Sequence, residues 1–350
     1  MMAISGPAGD ALKALTSEQI AFLQNLPKAE LHAHLNGSIP ISVLQELARQ
    51  YRTSSPAYEM ISNDAIQAGI DILLSGPTLN ELHDFFDLFP AIYALMTAPP
   101  ALACAVRAVL SLFLDGEHPQ CTYLELRTTP KVTPEMSREE YLRVVLDQIK
   151  VYGTDRVGLI VSMDRKMGPE AMHECVELAK SLKMEGEPVV GVDLCGDPTA
   201  GDPATFRTYF KDAKEAGLGI TLHIAETMYN TSEDTLQLLS FSPDRLGHAT
   251  FLDDEAKKIV AEKNPCIEIC LSSNLLCKTV PTLEAHHIRH YLKHGHPIAI
   301  CTDDILPFHT SLLGEYALLL APEPLGLGLS EEEVRAISKM SMDCRFVPKS

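Results

Sequence analysis

Eight short runs rich in β-branched and apolar residues recur along this chain, each closing in a polar or glycine-bearing tail. They read as strands at about 30–35, 122–127, 157–164, 189–194, 219–224, 245–251, 266–271 and 297–302. Between most of them lie stretches with apolar residues at three- and four-residue spacing, such as MSREEYLRVVLDQIKVYG, PEAMHECVELAKSL, PATFRTYFKDAKEAGL and DEAKKIVAEK. An alternation of strand and helix implies a parallel sheet, because parallel neighbours need a crossover between them. Eight such units favour closure into a (β/α)8 TIM barrel, with an open doubly wound sheet as the fallback. On the barrel reading, functional groups are expected where the strands end, at the C-terminal rim.

The spacing is even except after the first strand, where about 39–118 reads as a helical insertion. Its segments TLNELHDFFDLFPAIYALM and PALACAVRAVLSLFL have amphipathic spacing and are placed where they could roof the barrel mouth. The expected organisation is a leading extension and helix over 1–25 and one barrel domain over 26–350. With 350 residues and 46% apolar content, such a domain has enough material for a large core.

A formal net charge of −18 argues against a nucleic-acid or anionic-membrane surface, since a phosphate polymer is repelled at long range. A small anionic substrate is still compatible, provided that basic groups cluster locally. The nine cysteines, an odd number without regular spacing, read as reduced thiols rather than a disulfide framework. The N-terminus carries no basic segment followed by an apolar one, and no run approaches eighteen apolar residues. A cytoplasmic monomer with no membrane or nucleic-acid partner is the expectation.

The first strand ends in AELHAHLNGS, and a period of two puts His32 and His34 on one face. An isolated His-x-His is weak evidence. The fifth strand, GITLHIAET, adds His223 at its end with Glu226 just beyond, and the eighth, IAICTDD, adds Asp303 and Asp304. Imidazoles with a carboxylate suit a borderline divalent ion such as zinc, which lowers the pKa of bound water from about 15.7 to about 7. His248, in DRLGHATF, stands at the same edge, suited to orienting or deprotonating that water. Taken singly, His248 would read as a core histidine and Glu226 as an acid at a helix N-terminus.

The stretches LPKAELHAHLNGS, YLELRTTP, GVDLCGDP, LHIAE, RLGHATF, LSSN and CTDD occur in the order found in one family. Over roughly residues 26–345 the chain resembles the adenosine/AMP deaminase group of the metal-dependent amidohydrolases. The resemblance implies one zinc ion held by His32, His34, His223 and Asp303. It further implies that Glu226 protonates purine N1, that His248 handles the attacking water, and that Asp304 and the backbone of Gly196 hold ring nitrogens, with His34 also beside the substrate. Water then adds at C6 and an amine leaves.

Within the group the chain is most similar to members that take a purine nucleotide, N6-methyl-AMP, as substrate. Adenosine deaminases proper carry an aspartate where this sequence has Asn36, and a neutral amide can donate to a 5′-phosphate that a carboxylate would repel. Thr128, Thr129, Pro130 and Lys131 end the second strand and supply two hydroxyls and an ammonium. Lys131 alone would read as a solvated lysine. Asp164 matches a substrate-contacting position, its alternative being an acid paired with Arg165 or Lys166. Tyr93 stands where the subgroup has a histidine, with His83 ten residues earlier as a possible substitute. The chain ends in SMDCRFVPKS, shorter than the family's C-terminal helix, so a trimmed last layer of the shell is expected.

Three other readings compete. An adenosine deaminase proper would prefer the bare nucleoside. A phosphotriesterase- or dihydroorotase-like enzyme would need a bridging lysine, and no strand end places one beside the histidines. A catalytically silent, purine-binding or growth-factor-like protein would keep zinc without turnover. His286, His290 and His294 in EAHHIRHYLKHGHP could share a helix face but read better as a solvated helix. Cys266 and Cys270 are spaced wrongly for a cytidine-deaminase zinc site and are expected to face the core.

Overall fold

The computed structural model describes residues 4–54, 64–75 and 88–346. Eight strands, β1 (Ala29–His34), β2 (Tyr123–Thr128), β3 (Val157–Asp164), β4 (Val189–Cys195), β5 (Gly219–Ile224), β6 (Arg245–His248), β7 (Cys266–Ile269) and β8 (Ile298–Ile300), follow one another in a single parallel sheet. The sheet closes on itself. Ala33 bridges Asp303, the His34 N–H donates to the Asp303 carbonyl at 3.1 Å, and the Asp303 N–H donates to the His32 carbonyl at 2.8 Å. These bonds make it a barrel rather than an open sheet.

The helices Arg138–Ile149, Pro169–Met184, Pro203–Glu215, Ser232–Leu239 and Asp254–Lys263 form part of the outer shell. Their starts are written in the sequence. Ser137 and Glu140 form a capping box, and Asp202, Thr231 and Asp253 accept a bond from a first-turn amide. On the first helix Tyr141, Leu142, Val145, Leu146 and Ile149 make the buried stripe. One expected strand is shorter than its apolar run: β6 stops at His248, because His248 and Ala249 turn left-handed at φ 61° and 49° and leave the ladder.

Between β1 and β2 the insertion folds as the helices Ile41–Ser54, Asp64–Ser75, Phe89–Leu95 and Pro99–Leu114. The expected helix over 78–96 falls partly outside the described residues, as does His83. Among the described residues no single helix is long and apolar enough to cross a membrane.

The barrel interior is charged rather than greasy. Glu125, Arg127, Asp193, Arg245 and Glu268 are all buried, with Glu268 bonded to Arg127 at 2.9 Å and to Arg245 at 2.7 Å. The floor is closed by the C-terminal segment, in contrast to the trimmed shell expected from the sequence. The final helix, Glu331–Asp343, bonds Ser338 to the Pro27 carbonyl and Ser341 to the Ile300 N–H. Beyond it the Phe346 ring lies 3.5 Å from the Arg245 guanidinium, and its N–H donates to Glu125. Gly191 leaves room for this ring, since a Cβ there would come within 2.7 Å of it. Phe346→Ala should cost about 2 kcal/mol of stability by loss of apolar burial alone, measurable as a lower denaturant midpoint with unchanged slope.

Candidate active site

At the rim, the side chains of β1, β5 and the residues after β8 converge. His32 is fully buried, and its Nδ1 lies 2.6 Å from Glu268, a pairing that turns Nε2 toward the mouth without a protein hydrogen bond. The His223 Nδ1 is likewise 3.0 Å from both Asp193 and the Leu194 carbonyl. Both outer nitrogens are therefore donors, and both inner nitrogens face the mouth, where a cation can take the place of a proton. The His34 and His223 Nε2 atoms stand 3.2 Å apart, and Asp303 Oδ1 lies 3.4 Å from His34 and 3.5 Å from His32.

Donors about 2.0 to 2.1 Å from a tetrahedral zinc would stand about 3.3 Å from one another. The separations of 3.2, 3.4 and 3.5 Å lie close to that figure, and all four donor atoms lie within 4.8 Å of each other. Facing lone pairs repel unless a proton or cation sits among them, so the residues fit a divalent metal ion. Burial holds His34 well below its usual pKa, in the neutral form that ligates. Burial and Arg127 press His32 down, yet the neighbouring carboxylates of Asp303 and Glu268 carry it up to about 9, so an entering cation displaces that proton.

Several rim residues leave their strands through left-handed turns. Ala225, His248, Ala249 and Asp303 have φ of 48°, 61°, 49° and 60°, a conformation that costs a non-glycine residue roughly 1–3 kcal/mol. These turns aim Glu226, His248 and Asp303 at one point. Glu226 Oε1 lies 3.8 Å from His248 Nε2, which is 3.8 Å from Asp303 Oδ2. The other Glu226 oxygen is buried without a partner. Asn230 pins this loop by accepting the Glu226 and Thr227 N–H groups at 3.1 Å, and His287 donates to the His248 carbonyl at 2.9 Å.

Asp304 is half-buried with one oxygen buried and unpartnered, and desolvation together with the charge of Asp303 pushes its carboxyl well above the usual range. That favours a neutral acid able to donate a hydrogen bond. Gly37 makes room for it, because a Cβ at this position would overlap the Asp304 carboxyl. Across the mouth, Asn36 is buried beside the Tyr93 hydroxyl, and the Lys131 ammonium lies 4.5 Å over the Tyr93 ring. A cavity of about 940 Å³ opens beside this group, with Tyr93, Thr97, Lys131 and Thr133 in its wall.

Not every expected contact faces this space freely. The Thr128 hydroxyl is buried against Tyr141 at 2.8 Å, and Thr129 lies 3.6 Å from the Cys195 sulfur, followed by the buried Pro130. Asp164 accepts the backbone N–H of Lys166, whose ammonium pairs instead with Asp197. Gly196, at φ 92°, lies against Asp164: a Cβ there would come within 2.7 Å of that carboxylate. His286 precedes the helix Ile288–His294 and is buried against Asn274, so the three histidines do not share one solvated helix face. Cys266 and Cys270 are buried beside Ala299 and Cys301.

Asp193, Glu268, Gly37, Ser273 and His287 were not singled out from the sequence. A signal existed for two of them: GVDLC and CIEI each carry one carboxylate inside an otherwise apolar run, and a buried charge there demands partners.

A closed parallel barrel with three imidazoles and a carboxylate converging at its C-terminal rim defines a metal-dependent hydrolase of the amidohydrolase kind. The chain belongs to the adenosine deaminase family, whose profile matches residues 27–350. It is 34% identical over 349 residues to the N6-Methyl-AMP deaminase of Danio rerio, spanning 96% of this chain and 94% of that protein. Its identity to the Homo sapiens N6-Methyl-AMP deaminase is 33%, over 94% of this chain and 91% of that one. The apo N6-methyl-AMP deaminase of Arabidopsis thaliana superposes with a TM-score of 0.81 at 34% identity, covering 94% of each chain. An Arabidopsis ADAL complexed with IMP superposes at 0.79 with the same identity, covering 93% of each.

Proposed function

We propose that this chain hydrolyses N6-methyl-AMP to IMP and methylamine, with one zinc ion held by His32, His34, His223 and Asp303. The observation that carries the reading is the placing of those four donors, with Glu226 and His248, around one point at the barrel mouth. Bound there, zinc supplies Lewis acidity that makes water a nucleophile near neutral pH. The protein's own residues do the rest. Glu226 delivers a proton to N1 of the purine, which leaves C6 electron-poor and open to attack. His248 orients the water, takes its proton and passes it to the departing methylamine, while the new C6 hydroxyl gives its proton back to Glu226 as the carbonyl of IMP forms.

Asp304, as a neutral acid, and the Gly196 backbone hold the ring, with Asp164 and His34 at its margins. Asn36, Tyr93, Thr129 and Lys131 receive the 5′-phosphate, while Thr128 and Pro130 shape the turn beneath it. The uncharged Asn36 and the Lys131 ammonium favour a phosphate over a free hydroxyl. The relatives' names and the IMP complex support the same substrate class. Nine unpaired cysteines suit a reducing compartment such as the cytoplasm.

Turnover of N6-methyl-AMP, AMP and adenosine by the zinc-loaded protein is the direct test, and preference for the bare nucleoside would overturn the assignment. Asn36→Asp should raise KM for the nucleotide about tenfold or more by like-charge repulsion and leave adenosine nearly unaffected. Gly37→Ala should push Asp304 aside and lower kcat/KM by roughly tenfold or more, with zinc content unchanged by elemental analysis.

A further inference from the structure

Asp303 divides its two oxygens between two sets of donors. Oδ1 faces His32 and His34, while Oδ2 lies 3.8 Å from the His248 Nε2 and accepts from the Ser273 hydroxyl at 2.8 Å. Near Asp303 also stands Cys270, fully buried just after β7. Ligand atoms of His248, Cys270 and Asp303 lie within 4.8 Å of one another. No step of the proposed reaction uses Cys270.

We propose that His248, Cys270 and Asp303 form a second, inhibitory site for a borderline or soft divalent cation, with the Asp303 carboxylate bridging it to the first. The chemical class follows from the donors. Thiolate and imidazole select zinc or cadmium over magnesium or calcium. Binding breaks the S–H bond of Cys270, forms a sulfur–metal bond and releases the proton to solvent, while Ser273 gives up its bond to Oδ2. Three donors, one of which must lose a proton, make this the weaker site, filled only beyond the first equivalent. A cation there occupies the His248 lone pair, so turnover stops although the first site is full. This effect on turnover rests on the deaminase reading, whereas occupancy of the site does not.

Two measurements test the proposal separately. Excess zinc should inhibit the one-zinc protein, and Cys270→Ser or Cys270→Ala should raise the inhibitory concentration by about tenfold or more while keeping the basal rate. Independently of activity, cadmium titrated into the apoprotein should give an ultraviolet thiolate-to-cadmium band whose Cys270-dependent part appears only after the first equivalent. Both variants should lack that part. Variants as sensitive to zinc as the parent, or with the same cadmium spectrum, would overturn the site. A cadmium band without deaminase activity would leave the site standing and refute the function instead.

Discussion

Glu226→Gln protein should fold and hold its metal as the parent does, yet turn over N6-methyl-AMP about 10²- to 10⁴-fold more slowly, the usual range for losing a general acid. Glutamine keeps the length of the side chain and its hydrogen-bonding head. What it cannot do is give up a proton to the ring. Glu226 is poised for that transfer by geometry: Ala225 turns the backbone left-handed, Asn230 fixes the loop, and one carboxylate oxygen is buried with no protein partner. A purely structural role would show as lost metal or a lower unfolding midpoint, so both should be measured beside the rate. Equal rates for the two proteins would remove Glu226 from the chemistry.

The second large effect is expected directly behind the metal ligands. Glu268→Gln should destabilise the protein by about 3 to 5 kcal/mol, the cost of stripping one partner from a buried ion network. Glu268 is fully buried and bonds Arg127, Arg245, Thr221 and His32. Burial alone would raise its pKa, but the two guanidiniums outweigh that and hold it well below the usual carboxylate range. The same substitution weakens the bond that orients the His32 imidazole. Metal affinity should therefore fall about 10- to 100-fold, which separates this variant from a simple core defect. Denaturant unfolding of the metal-free protein and competition with a chelator measure the two consequences apart.

The strands were readable because each is a β-branched run ended by turn chemistry, and the main ligands because strand ends collect function in a parallel barrel. The end of β6 was not readable, since nothing in ATF announces the left-handed turn at His248 and Ala249. Thr128 looked like a phosphate contact because a hydroxyl at a strand end is expected to face the mouth; its engagement with Tyr141 depends on a helix packed from outside. Asp193 and Glu268 were passed over for a related reason. An inward-facing carboxylate deep in a barrel acquires its partners from strands distant in sequence, so its role is invisible until those strands are side by side. His286 was misplaced because helical spacing alone does not mark where the helix begins.

The aromatic lid beneath the barrel also orders events in time. All eight staves leave the ribosome before Phe346 does, about 46 residues after the last of them ends, an interval of a few seconds at about 5–20 residues per second. Until then Arg245 and Glu125 lack that ring and its N–H. Sealing the vessel is thus left to a residue synthesised after every stave.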